Sequence, residues 1–194
     1  MQQPFPTSKF LDRFYTYDYY RGLYWGTHTA PADDVAKRHS MSLERLQFLA
    51  KQKPFIAGTR ILDFGSGVGA FIEECKEKYP AVEILGIDPG TQVSAPKSLG
   101  LFDVISLIHV LEHLHDPVQT LKELSRLLKP DGVMFVEVPD IAAQQLPHNF
   151  HIAHVAYFTE KTLSMAFEAA GLAVLSHAPF AARNALYAIG RLKG

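Results

Sequence analysis

The sequence predicts an α/β fold, a three-layer sandwich with a mostly parallel sheet and an antiparallel C-terminal edge. Three observations carry this. Short apolar runs alternate with stretches of helical spacing, the pattern of parallel strands joined by crossover helices. The first run, Ile61-Leu62-Asp63-Phe64, breaks into the spaced glycines of Gly65-Ser66-Gly67-Val68-Gly69 before helical spacing resumes. That order of strand, glycine turn and helix is how a nucleoside-binding unit begins. The last two runs, 173–180 and 184–192, read as a pair of strands closing the sheet.

Each element has a local reason. Residues 1–53 form a helical and aromatic preamble, with Phe10, Phe14, Tyr15, Tyr17, Tyr19, Tyr20, Tyr24 and Trp25 crowded into 10–27. Asp33-Asp34 cap a helix to about Gln52, with Leu43, Leu46, Leu49 and Ala50 on its inner side. Residues 54–194 form one further domain. Strand 60–64 leads into helix 68–79, whose Phe71, Ile72, Cys75 and Tyr79 share a face. Strands 82–87 and 102–108 follow. Helix 117–128 starts with Asp116 at the N-cap and Pro117 at the first helical position. Lys129-Pro130-Asp131-Gly132 predicts a turn before strand 133–138. Thr159 caps helix 160–170, which Gly171 ends.

Composition narrows the function. The chain has 194 residues and a formal net charge of −1, so no basic excess points to a nucleic acid or an acidic membrane surface. No apolar run reaches membrane-spanning length, and residues 1–9 lack a signal-peptide pattern. The one cysteine, Cys75, sits on an apolar helix face and fits a reducing compartment. These features predict a cytoplasmic enzyme.

The glycine loop carries the chemistry. Glycines let the backbone turn tightly and a ligand come close, and the helix start that follows offers free N–H groups to an anion. Asp88 stands nineteen residues beyond Gly69, at the end of Val82-Glu83-Ile84-Leu85-Gly86-Ile87, where an acid bonds ribose hydroxyls. Gly65-x-Gly67-x-x-Ala70 also satisfies the loose dinucleotide pattern. Asp63 argues against that ligand, because a carboxylate at the loop's mouth repels a pyrophosphate and attracts an amino group.

Four motifs in order, "LDFGSGVGAF", "ILGIDP", "FDVISLIHVLEHLHDP" and "LLKPDGVMFVEVP", resemble the class I S-adenosylmethionine-dependent methyltransferases, which are Rossmann-like. The resemblance implies S-adenosyl-L-methionine as cofactor and a small molecule as methyl acceptor. It places Asp63, Gly65, Ser66, Gly67 and Gly69 at the methionine moiety and Asp88 at the ribose. Ile108 and His109 lie under the sulfonium. Only thirteen residues, Pro89–Leu101, join Asp88 to Phe102, where such enzymes carry a further helix and strand. The sheet is therefore expected to lack one edge strand–helix unit. Strand 82–87 then needs cover from the N-terminal segment or from a second copy in a homodimer. Two other functions stay open: a catalytically reduced cofactor-binding protein of this fold, and a metal-assisted RNA 2′-O-methyltransferase.

Histidines supply the remaining candidates. "HIAHVAYFTEKTL" resembles small-molecule methyltransferases in which a histidine precedes a "YF[ST]" helix start, near the acceptor. His154 takes that place, as an acid/base group or a loop-ordering one. His109, Glu112 and His113 stand at i, i+3 and i+4, with His148, His151 and His154 downstream. The set resembles the metal site of the small-RNA 2′-O-methyltransferases but has His109 where they have Glu. No metal ligand is expected. The aromatics Tyr19, Tyr20, Tyr24 and Trp25 are expected to close over the cofactor as a lid.

Overall fold

The computed structural model describes residues 32–88, 99–143, 154–180 and 184–194. The aromatic stretch 10–27, residues 89–98, His148 and His151 lie outside the described residues.

The elements run in the expected order. Helix α1 (Ala32–Gln52) precedes strand β1 (Arg60–Phe64), helix α2 (Ala70–Lys78), and strands β2 (Glu83–Ile87) and β3 (Phe102–Ile108). Helix α3 (Pro117–Ser125), strand β4 (Leu128–Pro139), helix α4 (Glu160–Ala169), and strands β5 (Leu172–Phe180) and β6 (Ala185–Leu192) complete the fold. Among the described residues six strands form one sheet in the order β2-β1-β3-β4-β6-β5. The pairs β1–β2, β1–β3 and β3–β4 are parallel, whereas β4–β6 and β5–β6 are antiparallel. Among the described residues β2 is a sheet edge; residues 89–98, on which the expected loss of a further strand–helix unit turns, lie outside them.

Alternation along the strands makes three layers. Leu62, Ile105, Met134 and Val136 face α3 and α4, where Leu121, Leu124, Leu163 and Phe167 complete one core. Ile61, Val104, Val133 and Phe135 face the other way, against Leu46 and Leu49 of α1 and Phe71 and Cys75 of α2. Two expected caps are present. Asp116 accepts a hydrogen bond from the Gln119 N–H at 2.9 Å, and Thr159 and Thr162 form a reciprocal capping box.

Four details differ from the sequence expectation. Helix α3 stops at Ser125, so Leu128 opens β4 instead of closing the helix. The 129–132 turn is a bulge within β4: Phe102 pairs with Leu128 and Val104 with Val133. The side chains of Lys129 and Asp131 are held there, by Asp103 at 2.7 Å and Lys53 at 2.5 Å, which suits a strand with an outward loop. The inner face of α1 is Ser42, Arg45, Leu46 and Leu49, with Leu43 only half-buried. After β3 the chain makes only a short 3-10 turn, Leu111–His113. His109 precedes it at φ 54, so His109, Glu112 and His113 do not share a helical face.

No helix among the described residues is long and apolar enough to cross a membrane.

Candidate active site

Parallel sheets leave their carboxyl ends open to ligands, and the residues singled out from sequence collect there. The Gly65 N–H donates to Ile87 O at 2.6 Å and the Ser66 N–H to the same oxygen at 3.3 Å, which ties the glycine loop to the end of β2. Asp88 follows directly and is exposed. Gly65, Gly67 and Gly69 all hold positive φ. At Gly65 a side chain is also sterically excluded, since a Cβ would run into Val110. Gly65→Ala should therefore cost about 2–4 kcal/mol, left-handed strain plus overpacking. Gly58 has a similar φ of 81 with open space around it, so Gly58→Ala should cost only the strain, about 1–2 kcal/mol. Thermal melts of the two variants test the difference, and equal shifts would refute the steric part.

Asp63 ends buried rather than open at the loop's mouth. It faces Ser106 across the β1–β3 ladder, and the Ser106 hydroxyl donates to its Oδ1 at 2.9 Å. Burial pushes the Asp63 carboxyl up to about 7, although the Ser106 hydrogen bond and the Arg45 charge oppose the rise. Such a carboxylate is poised to ionise when a cation arrives.

Ile108 pairs with Glu137 at the end of β3, and the His109 N–H donates to Glu137 O at 2.9 Å. Glu137 is fully buried and receives Arg45 of α1 in a two-pronged pair, Nε at 2.7 Å and Nη2 at 2.5 Å. The His109 ring reaches both Glu137 Oε1 and Glu112 Oε1 at 3.3 Å. Burial alone would raise the Glu137 carboxyl, but Arg45 and His109 outweigh it and hold it at about 2. Burial alone would lower His109, yet Glu112 and Glu137 raise it to about 9.

Glu112 also faces His113, at 3.8 Å, and the His113 ring meets the His154 ring edge-on with centroids 4.8 Å apart. The N–H groups of Val155 and Ala156 both donate to Glu112 O, so the 3-10 turn fixes the segment that carries His154. The candidate donor atoms of Glu112, His113 and His154 lie within 4.8 Å of one another. His109 stands beside them, with Nδ1 3.3 Å from Glu112 Oε1 and Nε2 3.3 Å from Glu137 Oε1. The arrangement suits a charge and proton cluster. Sequence reasoning missed Arg45, Ser106 and Glu137. Glu137 was findable: a lone acid inside the apolar run Val133–Val138 must be paired to be buried.

The glycine loop, the acid after β2 and the polar cluster after β3 now stand at one end of a Rossmann-like sheet. A family described as methyltransferase domain matches residues 35–177. The chain belongs to the methyltransferase-domain family. Relatives of this methyltransferase domain include the ubiquinone biosynthesis O-methyltransferases of Vibrio campbellii and Histophilus somni. The first is 24% identical over 119 residues, 50% of this chain and 51% of that protein. The second is 29% identical over 136 residues, 54% of this chain and 55% of that protein. The chain thus spans about half the length of the curated relatives it matches. Among solved structures, an Archaeoglobus fulgidus SAM-dependent methyltransferase superposes with TM-score 0.60 at 17% identity, covering 90% of this chain and 99% of that one. A putative methyltransferase in complex with the Haloferax volcanii Trm112 activator gives 0.63 at 15% identity, covering 84% and 95%. At such identities these likenesses establish the fold.

Proposed function

We propose that this chain binds S-adenosyl-L-methionine and transfers its methyl group to a small-molecule acceptor. The observation that carries the reading is the tied-down glycine loop between buried Asp63 and exposed Asp88, at the carboxyl ends of β1 and β2. Those residues fit the cofactor. Gly67 and Gly69 hold positive φ with open space where a side chain would stand, the buried Asp63 carboxyl precedes the loop, and Asp88 is exposed to meet ribose hydroxyls. Asp63, Gly65, Ser66, Gly67 and Gly69 would hold the methionine end, Asp88 the ribose, and Ile108 and His109 the floor beneath the sulfonium.

When bound, the cofactor supplies an electrophilic methyl group. The protein's part is to hold an acceptor in line with it and to take a proton where the acceptor carries one. His154 is the base in this reading, paired edge-on with His113. A small acceptor is supported by the near-zero net charge and by relatives named for ubiquinone biosynthesis. No metal enters the scheme. The single, buried Cys75 suits a cytoplasmic protein, and the β2 edge suits a homodimer.

Calorimetry with S-adenosylhomocysteine tests the proposal directly. Saturable heat is expected, and Asp88→Ala should weaken binding by about 1.5–3 kcal/mol, the loss of hydrogen bonds to a charged group. A folded protein that gives no heat at millimolar ligand would overturn it and favour a fold that has lost its cofactor.

A further inference from the structure

We propose that Glu112, His113 and His154 form a site for a divalent transition-metal ion, and that the ion, when bound, takes the lone pair His154 needs as a base. This departs from the sequence expectation of no metal ligand. The site stands apart from the methyl-transfer reading, and only its effect on the base rests on that reading.

One turn builds the site. Glu112 and His113 are consecutive on the 3-10 turn Leu111–His113. The Glu112 carbonyl accepts the N–H groups of Val155 at 2.9 Å and Ala156 at 3.0 Å. The residue that offers a carboxylate therefore also fixes the backbone beside His154. The His113 and His154 rings meet at 4.8 Å between centroids, and Tyr157 adds a third ring 5.9 Å from His154. One donor atom from each of Glu112, His113 and His154 lies within 4.8 Å of the other two, and Glu112 Oε1 is 3.8 Å from His113 Nε2. Ligands of a tetrahedral zinc stand about 3.3 Å from one another, so side-chain shifts of about 1 Å close the set.

The carboxylate is the second observation. Glu112 is 1% exposed, and among the described residues neither of its oxygens has a hydrogen-bond partner. Buried polar atoms are nearly all paired in folded proteins, and a charged one is the most expensive to leave alone. His109 and His113 stand 3.3 and 3.8 Å from Glu112 Oε1 without hydrogen-bonding to it. A dication held between this carboxylate and two imidazoles compensates the charge. The donor set also selects the ion. Imidazole nitrogens suit zinc and its transition-metal neighbours, whereas Mg²⁺ and Ca²⁺ take oxygen ligands. The partly exposed His113 side chain gives the ion a way in.

The methyl-transfer scheme needs no ion, and a loaded site opposes it. An imidazole that gives its lone pair to a metal has only an N–H left, so it cannot take a proton from an acceptor. Metal loading is thus a brake on His154.

Calorimetry on the chelator-stripped, ligand-free full chain tests the site without any cofactor. Zn²⁺ should bind saturably, one ion per chain, and Mg²⁺ at the same concentrations should give no heat. Co²⁺ in place of Zn²⁺ should show the intense visible bands of a four- or five-coordinate ion. Glu112→Gln and His154→Ala should each weaken Zn²⁺ binding by at least about tenfold, since even an outer-shell partner contributes that much. His154 is half-buried, so its variant keeps the test alive if Glu112→Gln unfolds the chain. His177→Ala, on the edge strand β5, should change nothing. No Zn²⁺ heat from the folded wild type, equal heat from Mg²⁺, or binding untouched in both site variants would overturn the site. A His154 ring that still takes up a proton in the zinc-loaded protein, read by nitrogen-15 NMR, would overturn the brake. If Zn²⁺ binds as expected and S-adenosylhomocysteine does not, the metal site stands and the methyltransferase reading falls.

Discussion

Arg45→Met should destabilise the protein by about 3–5 kcal/mol, the cost of stranding one member of a buried ion pair. Arg45 is 5% exposed and Glu137 is fully buried, so water cannot replace the lost guanidinium. His109, 3.3 Å from the same carboxylate, offsets part of the loss, which favours the lower end of that range. Urea melts would measure it. The double variant Arg45→Met, Glu137→Leu should recover most of the stability, because the pair's desolvation penalty disappears with it. A single variant within 1 kcal/mol of wild type would show that the pair is solvated. Acid should expose the same interaction. Glu137 is held at about 2, below the ordinary carboxylate value, so its contribution is present above about pH 4.5 and is lost as pH falls toward 2.

Asp63→Asn should move stability and cofactor affinity in opposite directions. The folded carboxyl is raised to about 7 from an ordinary value of 3.8, so the folded state holds a proton that the unfolded chain releases. Stability is therefore lost as pH rises between those two values, to a total on the order of 3–4 kcal/mol above pH 7. Asparagine keeps the acceptor for the Ser106 hydroxyl and cannot ionise. At pH 8 the variant should melt higher than wild type, and at pH 4 the two should coincide. Binding should behave the other way. The ligand's α-ammonium group favours the ionised carboxylate, so wild-type affinity for S-adenosylhomocysteine should rise from pH 6 to 8, and that of the variant should stay flatter and weaker. Identical melting profiles for the two proteins across this range would refute a raised Asp63.

Much of the fold is local in origin, and for that reason legible. The alternation in Ile61-Leu62, Val104-Ile105 and Phe135-Val136 sends neighbours to opposite faces, which predicts two cores and hence three layers. Gly65 and Gly171 mark turns because their backbones need positive φ, and Asp116 and Thr159 mark helix starts because their side chains cap them. The misjudged boundaries share one cause. Leu128 and the 129–132 segment have the local signals of a helix end and a turn, but the ladder to β3 captures both. Propensity is weak against a row of sheet hydrogen bonds.

The order of elements, the parallel sheet with its antiparallel edge, and the glycine loop between Asp63 and Asp88 can all be read along the chain. These depend on residues close together in the chain, where periodicity and backbone geometry act directly. The electrostatics came from folding. Arg45 and Glu137 are 92 residues apart and Asp63 and Ser106 are 43 apart, so no local pattern pairs them. Burial decided the rest. Asp63 looked like an open carboxylate and is a shielded one that burial raises to about 7, while His109, read as part of the cofactor floor, stands 3.3 Å from two buried carboxylates. Charge energies depend on distance and on access to water, and both are fixed only when the layers close.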